Sequence, residues 1–179
     1  MAGLAVGVTL LVTGCTDGSS PKPSPLPSVT ASSSSAATPS APAMPAEAKG
    51  TSAASAKAFV RYYIGAVNFA LETGDVSEVR QLSDAGCSSC SAVADSVSAV
   101  YENGDRLTGK GWEVKGVSPV ANQPRLRPVI QVAVLINPQT KISGSNAKPE
   151  HRPGGHKLMV FDLASRDGQW IVAEWEQTT

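Results

Sequence analysis

Aromatic side chains are confined to the last two thirds of this 179-residue chain, which limits the part that can build a core. All nine aromatic residues lie between Phe59 and Trp175. Residues 16–55 contain none of them, but hold seven of the thirteen prolines among many serines and alanines. So little apolar surface cannot offset the entropy lost when such a segment is ordered. We therefore predict a disordered tether over residues 15–55 and a single folded domain over residues 56–179.

The first residues have the pattern of an export signal. Residues 4–12 form an apolar run that is too short to cross a hydrocarbon core, which takes roughly 20 helical residues. Such a run is typical of a signal-peptide h-region. The residues that follow, Val12-Thr13-Gly14-Cys15, resemble the lipobox of bacterial lipoproteins, although no Lys or Arg precedes the apolar run. The alternative is an N-terminal helix that buries Cys15 as a small core residue.

The lipobox resemblance implies both an anchor and a location. Residues 1–14 would be removed as a lipoprotein signal peptide, and the Cys15 thiol would carry a diacylglycerol. Two acyl chains hold a protein on a membrane effectively permanently. We therefore expect a lipid-anchored protein on the extracytoplasmic face of the cell membrane.

The pattern of the folded part changes from helix to strand near residue 105. Apolar residues at helical spacing predict three helices, over residues 57–73, from Asp75 to Leu82, and over residues 91–102. Segments rich in β-branched and aromatic residues predict four strands, at residues 111–120, 128–136, 156–164 and 169–176. Asp167-Gly168 predicts a hairpin between the last two strands. Both alternating sets of residues 128–136 are largely apolar, which predicts a central strand covered on both faces.

This order of elements predicts an α+β domain in which N-terminal helices pack on a curved four-stranded antiparallel sheet. The order resembles the NTF2-like cone, and a cystatin-like layout fits it nearly as well. Residues 56–90, which read AKAFVRYYIGAVNFALETGDVSEVRQLSDAGCSSC, resemble the hallmark stretch of an uncharacterised family of actinobacterial lipoproteins, a domain of unknown function. That resemblance implies a shared fold and an exported, lipid-anchored protein, and it implies no activity.

Cys87 and Cys90 are the only thiols that remain once Cys15 is lipidated, and they face an oxidising compartment. Their spacing at the start of a helix predicts a local structural disulfide, whose short loop contributes only about 2 kcal/mol. The alternative is thiol–disulfide exchange, but redox motifs of this spacing usually follow a strand in a βαβ unit. A zinc site would need two further ligands, so no metal is predicted.

The other chemistry-bearing residues give no catalytic pattern. His151 and His156 lie in a Pro/Gly-rich segment, and with Glu150 they allow a loop metal site or an acid/base pair. We predict instead that this segment is a solvated connection. No nucleophile motif, zinc-protease motif or Gly-rich phosphate loop occurs. We therefore predict no catalytic residue and no cofactor.

An NTF2-like cone often holds a pocket between its first helix and its sheet. The resemblance therefore implies a pocket lined by polar residues of the first helix and the strands, namely Tyr62, Tyr63, Asn68, Gln131 and Asp162. For the tyrosines the alternative is core packing with the hydroxyl at the rim. For Asp162 the alternative is a position that faces solvent.

Charge narrows the class of partner. Fifteen Lys and Arg balance fifteen Asp and Glu, so the chain offers no excess of positive charge for nucleic acid. We predict a non-catalytic interaction or ligand-binding domain, whose partner is an envelope protein, a wall polymer or a small ligand. The alternatives are a small-pocket NTF2-like enzyme with a carboxylate or tyrosine base, and an exported redox protein that uses Cys87 and Cys90.

Overall fold

A computed structural model describes residues 39–144 and 147–178. The predicted signal peptide, Cys15 and most of the predicted tether lie outside the described residues. Three helices come first: α1 (Ala53–Thr73), α2 (Ser77–Gln81) and α3 (Ser88–Glu102), preceded by a single 3-10 turn at Ala46–Ala48. Seven strands follow: β1 (Arg106–Gly109), β2 (Trp112–Pro119), β3 (Val129–Ile136), β4 (Gln139–Ile142), β5 (Glu150–Arg152), β6 (Gly155–Arg166) and β7 (Gln169–Thr178). Over this part of the chain, no helix has the length and hydropathy needed to span a bilayer.

The strands form two antiparallel sheets rather than one. The larger sheet has the order β2-β3-β6-β7, and the smaller has the order β1-β4-β5. The α+β prediction is confirmed, because three N-terminal helices precede a four-stranded antiparallel sheet built from the four predicted strands. The smaller sheet was not predicted. Its strands have only three or four residues each, which is too short for an alternating pattern to be recognised.

The core lies between α1 and one face of the larger sheet. Phe59, Tyr63 and Val67 are buried along α1, and they share one buried cluster with Ile130 of β3 and Phe161 of β6. The Tyr63 ring meets Phe161 edge-on, with the ring centroids 5.9 Å apart. Burial of this continuous apolar surface is the main stabilising contribution to the fold.

Strand β3 is central, as predicted, but only one of its faces is fully covered. Ile130, Val132 and Val134 are buried, whereas the alternate residues, Gln131 and Ala133 among them, are half-buried. The prediction that both faces of this strand are covered is therefore wrong for one face. Alanine and valine tolerate partial exposure, so their presence does not require a second packed layer.

Helix α1 begins four residues earlier than predicted because a serine pair caps it. The Ser52 hydroxyl accepts from the Ser55 backbone N–H at 3.0 Å, and the Ser55 hydroxyl accepts from the Ser52 N–H at 2.9 Å. This is a capping box in which serine replaces the usual Glu or Gln at the third position. The helix ends at Thr73, as predicted, and Gly74 follows it in the left-handed conformation.

The packed domain also begins before the predicted boundary at residue 56. Ala48 is fully buried, and the Tyr62 hydroxyl lies 3.2 Å from the Pro42 carbonyl oxygen. The Gly50 N–H donates to the Gln169 side chain at 3.4 Å. Residues 42–50 therefore pack along α1 and reach β7. The composition of the whole segment does not predict this contact, because the contact depends on a few small residues that pack closely.

Candidate functional site

Two adjoining clefts lie between the helices and strands of both sheets. The first, termed the apolar cleft, has a volume of about 400 Å³ and is lined chiefly by Leu71, Val93, Val97, Trp112 and Trp175, with Arg152 among its polar lining residues. The second, termed the polar cleft, has a volume of about 500 Å³, and Asn68, Glu72, Thr108 and Lys110 contribute to its lining. Leu71 and Gln139 line both clefts, so the two meet there.

Two tryptophans form the aromatic part of the apolar cleft. Trp112 of β2 and Trp175 of β7 meet edge-on, with ring centroids 6.0 Å apart, and Trp175 also stacks on Phe161. The Trp175 Nε1–H is buried and has no hydrogen-bond partner among the described residues. A buried donor without an acceptor costs about 1–3 kcal/mol, so the cleft wall contains an unsatisfied polar group.

Asn68 fixes the start of β2, and with it Trp112, against α1. The Trp112 N–H donates to Asn68 Oδ1 at 2.7 Å, and Asn68 Nδ2 donates to the Trp112 carbonyl at 2.8 Å. Gly111, next to Trp112, has φ +70°, and a Cβ added there would lie 2.4 Å from Asn68 Oδ1. The close approach of the asparagine to the strand therefore requires glycine at this position.

The predicted disulfide between Cys87 and Cys90 is confirmed. Both residues are buried, their Cα atoms are 5.3 Å apart, and helix α3 begins at Ser88, three residues earlier than predicted. The bridge therefore lies in the first turn of α3, where Cys87 is the N-cap and its sulfur accepts from the Cys90 N–H at 3.2 Å. This burial favours the structural interpretation over thiol–disulfide exchange, since a redox pair must be reachable by its partner.

A carboxylate from the sheet caps the same helix end. Glu174 of β7 accepts from the backbone N–H groups of Ser88 and Ser89 at 3.0 Å each, and from both serine hydroxyls. Hydrogen bonds to the ionised form, above all from the Ser89 side chain, lower the pKa of Glu174 from 4.5 to about 2. Helix α3 forms one wall of the apolar cleft, so this contact sets the position of that wall relative to the sheet.

Glu174 was not singled out from the sequence. Strand β7 has a register shift here, with Glu174 opposite Asp162 and Val172 opposite Leu163, which leaves Ala173 as an extra residue. Such a bulge redirects side chains and breaks the alternation on which sequence analysis relies. The serines that bind the carboxylate lie about 85 residues away along the chain, so no local motif connects them.

The structure does not bring the five predicted pocket residues together. Asn68 lines the polar cleft, whereas Tyr62 and Tyr63 are buried among core residues. Burial raises the pKa of Tyr63 to about 12, and burial together with a hydrogen bond to Glu78 raises the pKa of Tyr62. Gln131 and Asp162 alternate with buried core residues, so they lie on the opposite face of the sheet.

The histidines do not form a site with Glu150. His151 lies on β5, where its Nδ1 is 3.0 Å from the Thr140 hydroxyl, and His156 lies on β6. Both are exposed. Glu150 instead pairs with Lys141 and Arg152, which lowers the pKa of its carboxyl. Across residues 39–144 and 147–178, no three His, Cys, Asp or Glu side chains converge as metal ligands.

Comparisons with known proteins give a family but no activity. No curated protein matches this sequence. Among solved structures, the intermembrane-space region of the chloroplast protein ARC6 is similar at 12% identity and a TM-score of 0.47, over 69% of this chain and 94% of that one. A structure named Rd1NTF2_05, a variant with five substitutions, is similar at 14% identity and a TM-score of 0.38, over 67% and 96% of the two chains.

At these TM-scores neither likeness supports a functional argument. The sequence comparison is more informative, because a family model matches residues 29–176, most of the chain. The expected membership of an uncharacterised family is thereby confirmed, and the chain belongs to the family of unknown function DUF6318.

Proposed function

We propose that this protein is a lipid-anchored extracytoplasmic domain that binds a small amphipathic ligand in the two adjoining clefts, without catalysing a reaction. The observation that carries the proposal is the aromatic wall of the apolar cleft, formed by Trp112 and Trp175. The envelope location rests on the sequence around Cys15, which lies outside the described residues.

The dimensions and lining of the clefts support this class of ligand. Volumes of about 400 and 500 Å³ lie within the range of small-molecule sites, roughly 300–1,000 Å³. Apolar surface with a few polar groups is the usual lining of such sites. The apolar part of a ligand would pack on the tryptophans and Val93, and its polar part would lie toward Lys110 and Gln139.

The residues of the clefts favour binding over catalysis. Hydroxyl groups line both clefts, from Ser89, Ser96 and Thr108. A hydroxyl nucleophile needs an adjacent base of suitable strength. The Ser89 hydroxyl donates to Glu174, but a carboxylate whose pKa is lowered to about 2 is a weak base. No histidine lines either cleft in the part of the chain described. Among the residues that the structure describes, Glu72 is the one carboxylate that lines either cleft, so paired acid–base chemistry has no second carboxylate there.

The ligand-binding proposal predicts that a negative charge in the apolar cleft strongly weakens binding of an anionic amphiphile. Val93 is half-buried in the cleft wall, and Val93→Asp would place a carboxylate beside the tryptophans. The probe is 1-anilinonaphthalene-8-sulfonate, an anionic aromatic amphiphile, titrated into the full chain and followed by fluorescence. We expect saturable binding to one site, and at least a tenfold loss of affinity in the variant.

The matched control for this titration is Leu158→Asp, at an exposed residue that lines neither cleft. It should leave probe affinity within twofold of the parent chain. Circular dichroism should show the same fold in all three proteins. Equal probe affinity in the Val93 variant and the parent would refute binding in the apolar cleft.

The anchoring proposal predicts a nearly complete change of cell fraction. Cys15→Ala removes the only sulfur that can take the diacylglycerol in the lipobox, so the protein should leave the membrane pellet. Ser32→Ala, in the predicted tether, is the control and should stay membrane-bound. Mass spectrometry of the native N-terminus should find a lipidated cysteine at residue 15, and an unmodified Met1 would disprove the anchor.

A further inference from the structure

The connection between β2 and β3 presents the most exposed apolar side chains of the domain. Leu126 is 54% exposed and Val120 is 39% exposed, and these are two of the three large apolar residues exposed in the described part of the chain. The connection is a formed turn, because Arg127 N donates to the Pro124 carbonyl at 3.0 Å and Val120 N donates to Val129 at 2.8 Å. Residues 120–127 are termed the hairpin tip.

Charge at the hairpin tip is entirely positive. Arg125 and Arg127 flank Leu126, and residues 120–127 contain no Asp or Glu. Both arginines are exposed, and neither takes part in the ion pairs found within the described residues. The nearby carboxylate is that of Asp162, which lines a shallow cleft together with Arg127. The tip is therefore a small basic surface with a leucine at its centre, in a chain whose overall charge is zero.

We propose that the hairpin tip contacts an anionic lipid bilayer, with Leu126 inserted among the acyl chains and Arg125 and Arg127 on the phosphates. Guanidinium groups bind phosphate oxygens with two hydrogen bonds, and their long stems can lie along apolar surface while the charge stays in the headgroup layer. An exposed leucine between two such groups matches the depth profile of the membrane interface, which is apolar below and negatively charged above.

The size of the surface favours a bilayer over a protein partner. A stable protein interface buries about 800 Å² on each side, which one turn of eight residues does not supply. A membrane contact does not have that requirement, because each inserted side chain and each cation contributes separately. The relevance of this contact in the cell rests on the proposed function. A domain that is anchored to the membrane meets it at high local concentration, so a weak contact is enough to keep the hairpin tip bound.

The test is sedimentation of the full chain with lipid vesicles, with Cys15→Ser present throughout so that no lipid anchor contributes. Vesicles contain either phosphatidylcholine alone or equal parts of phosphatidylcholine and phosphatidylglycerol. We expect binding to the anionic vesicles to exceed binding to the neutral ones and to fall as salt is raised. Arg125→Gln with Arg127→Gln should lower binding to anionic vesicles about twenty-five-fold, at about fivefold for each charge. Leu126→Ser should lower it at least fivefold.

Two controls match these changes elsewhere on the surface. Lys49→Gln with Lys57→Gln removes the same charge from exposed positions, and Leu158→Ser removes an exposed leucine from β6. Both should bind like the parent. Residues 4–12 are present in every variant, so differences between variants report on the hairpin tip.

Several results would overturn the proposal. These are an absence of anionic-vesicle binding, an equal loss in the lysine control, or binding to polyglutamate without binding to vesicles, which would indicate an acidic protein partner. None of them bears on the lipidation of Cys15, so failure here is distinguishable from failure of the anchoring proposal.

Discussion

Glu174→Ala is expected to lower the free energy of unfolding by about 3 kcal/mol, because it removes hydrogen bonds that a charged acceptor makes to the start of α3. The variant leaves the N–H groups of Ser88 and Ser89 without the acceptor that they use. Loss of a helix N-cap alone costs about 1 kcal/mol, and here the capping carboxylate also joins the helix to the sheet. Urea denaturation of the full chain measures the change.

The same carboxylate predicts a particular dependence of stability on pH. The pKa of Glu174 is about 2 in the folded protein against 4.5 ordinarily, so its ionised form is favoured by folding. That stabilisation is fully present above pH 4.5 and is lost as the pH falls from 4.5 toward 2. Since the side chain is partly exposed, we expect solvent screening to reduce the contribution to about 2 kcal/mol.

Glu174→Gln is the best variant for testing this pH dependence. It keeps the shape of the side chain and removes its titratable carboxyl group. Its unfolding free energy should change less than that of the parent between pH 5 and pH 2. Glu176→Gln, at an exposed residue of the same strand, should cost less than about 0.5 kcal/mol and keep the parent's pH dependence. Identical pH profiles for the parent and the Glu174→Gln variant would show that the carboxylate does not stabilise α3.

Gly74→Ala is expected to cost about 3 kcal/mol, from a combination of backbone strain and steric overlap. Gly74 has φ +83°, and a Cβ added there would lie 2.5 Å from Cγ of Tyr101. The tyrosine cannot move freely, because its hydroxyl donates to the Leu71 carbonyl at 2.7 Å. Urea denaturation again reports the loss, and a lower thermal midpoint should accompany it.

Gly104→Ala separates the two contributions. Gly104 has a similar φ of +74°, but no atom lies within 4 Å of an added Cβ. Gly104→Ala should therefore lower the free energy of unfolding only through the backbone strain of a left-handed alanine, by about 1 kcal/mol. If the two alanine variants lose the same stability, the overlap with Tyr101 does not exist and the packing of α3 against the end of α1 needs another explanation.

Much of the fold follows from local patterns, and the exceptions have physical reasons. The period of apolar residues located α1 and α3, and Asp167-Gly168 located the turn between β6 and β7. The smaller sheet was not predicted because its strands are short and because strands far apart in the sequence, such as β1 and β4, pair in it. The early start of α1 was not predicted because its capping box has Ser55 in the position where Glu or Gln is usual.

Less of the candidate site could be predicted, because a site depends on which face a residue occupies. Asn68 lines a cleft, whereas Gln131 and Asp162 lie on the far side of the sheet. Alternation gives two possible faces for a strand, and the sequence alone does not choose between them. Trp112 and Trp175 come together only through the pairing of four strands, so no motif marks them as a pair.

Residues 42–50 have a mechanical consequence for a domain held at its N-terminal end. Pro42 lies beside Tyr62, well along α1, while Gly50 lies near the turn before β7, so this segment doubles back before the helix begins. If the proposed anchor holds that end, traction on it would reach these contacts first and break them one after another. Breaking these contacts would lengthen the chain in front of α1 before the force reaches the hydrophobic core.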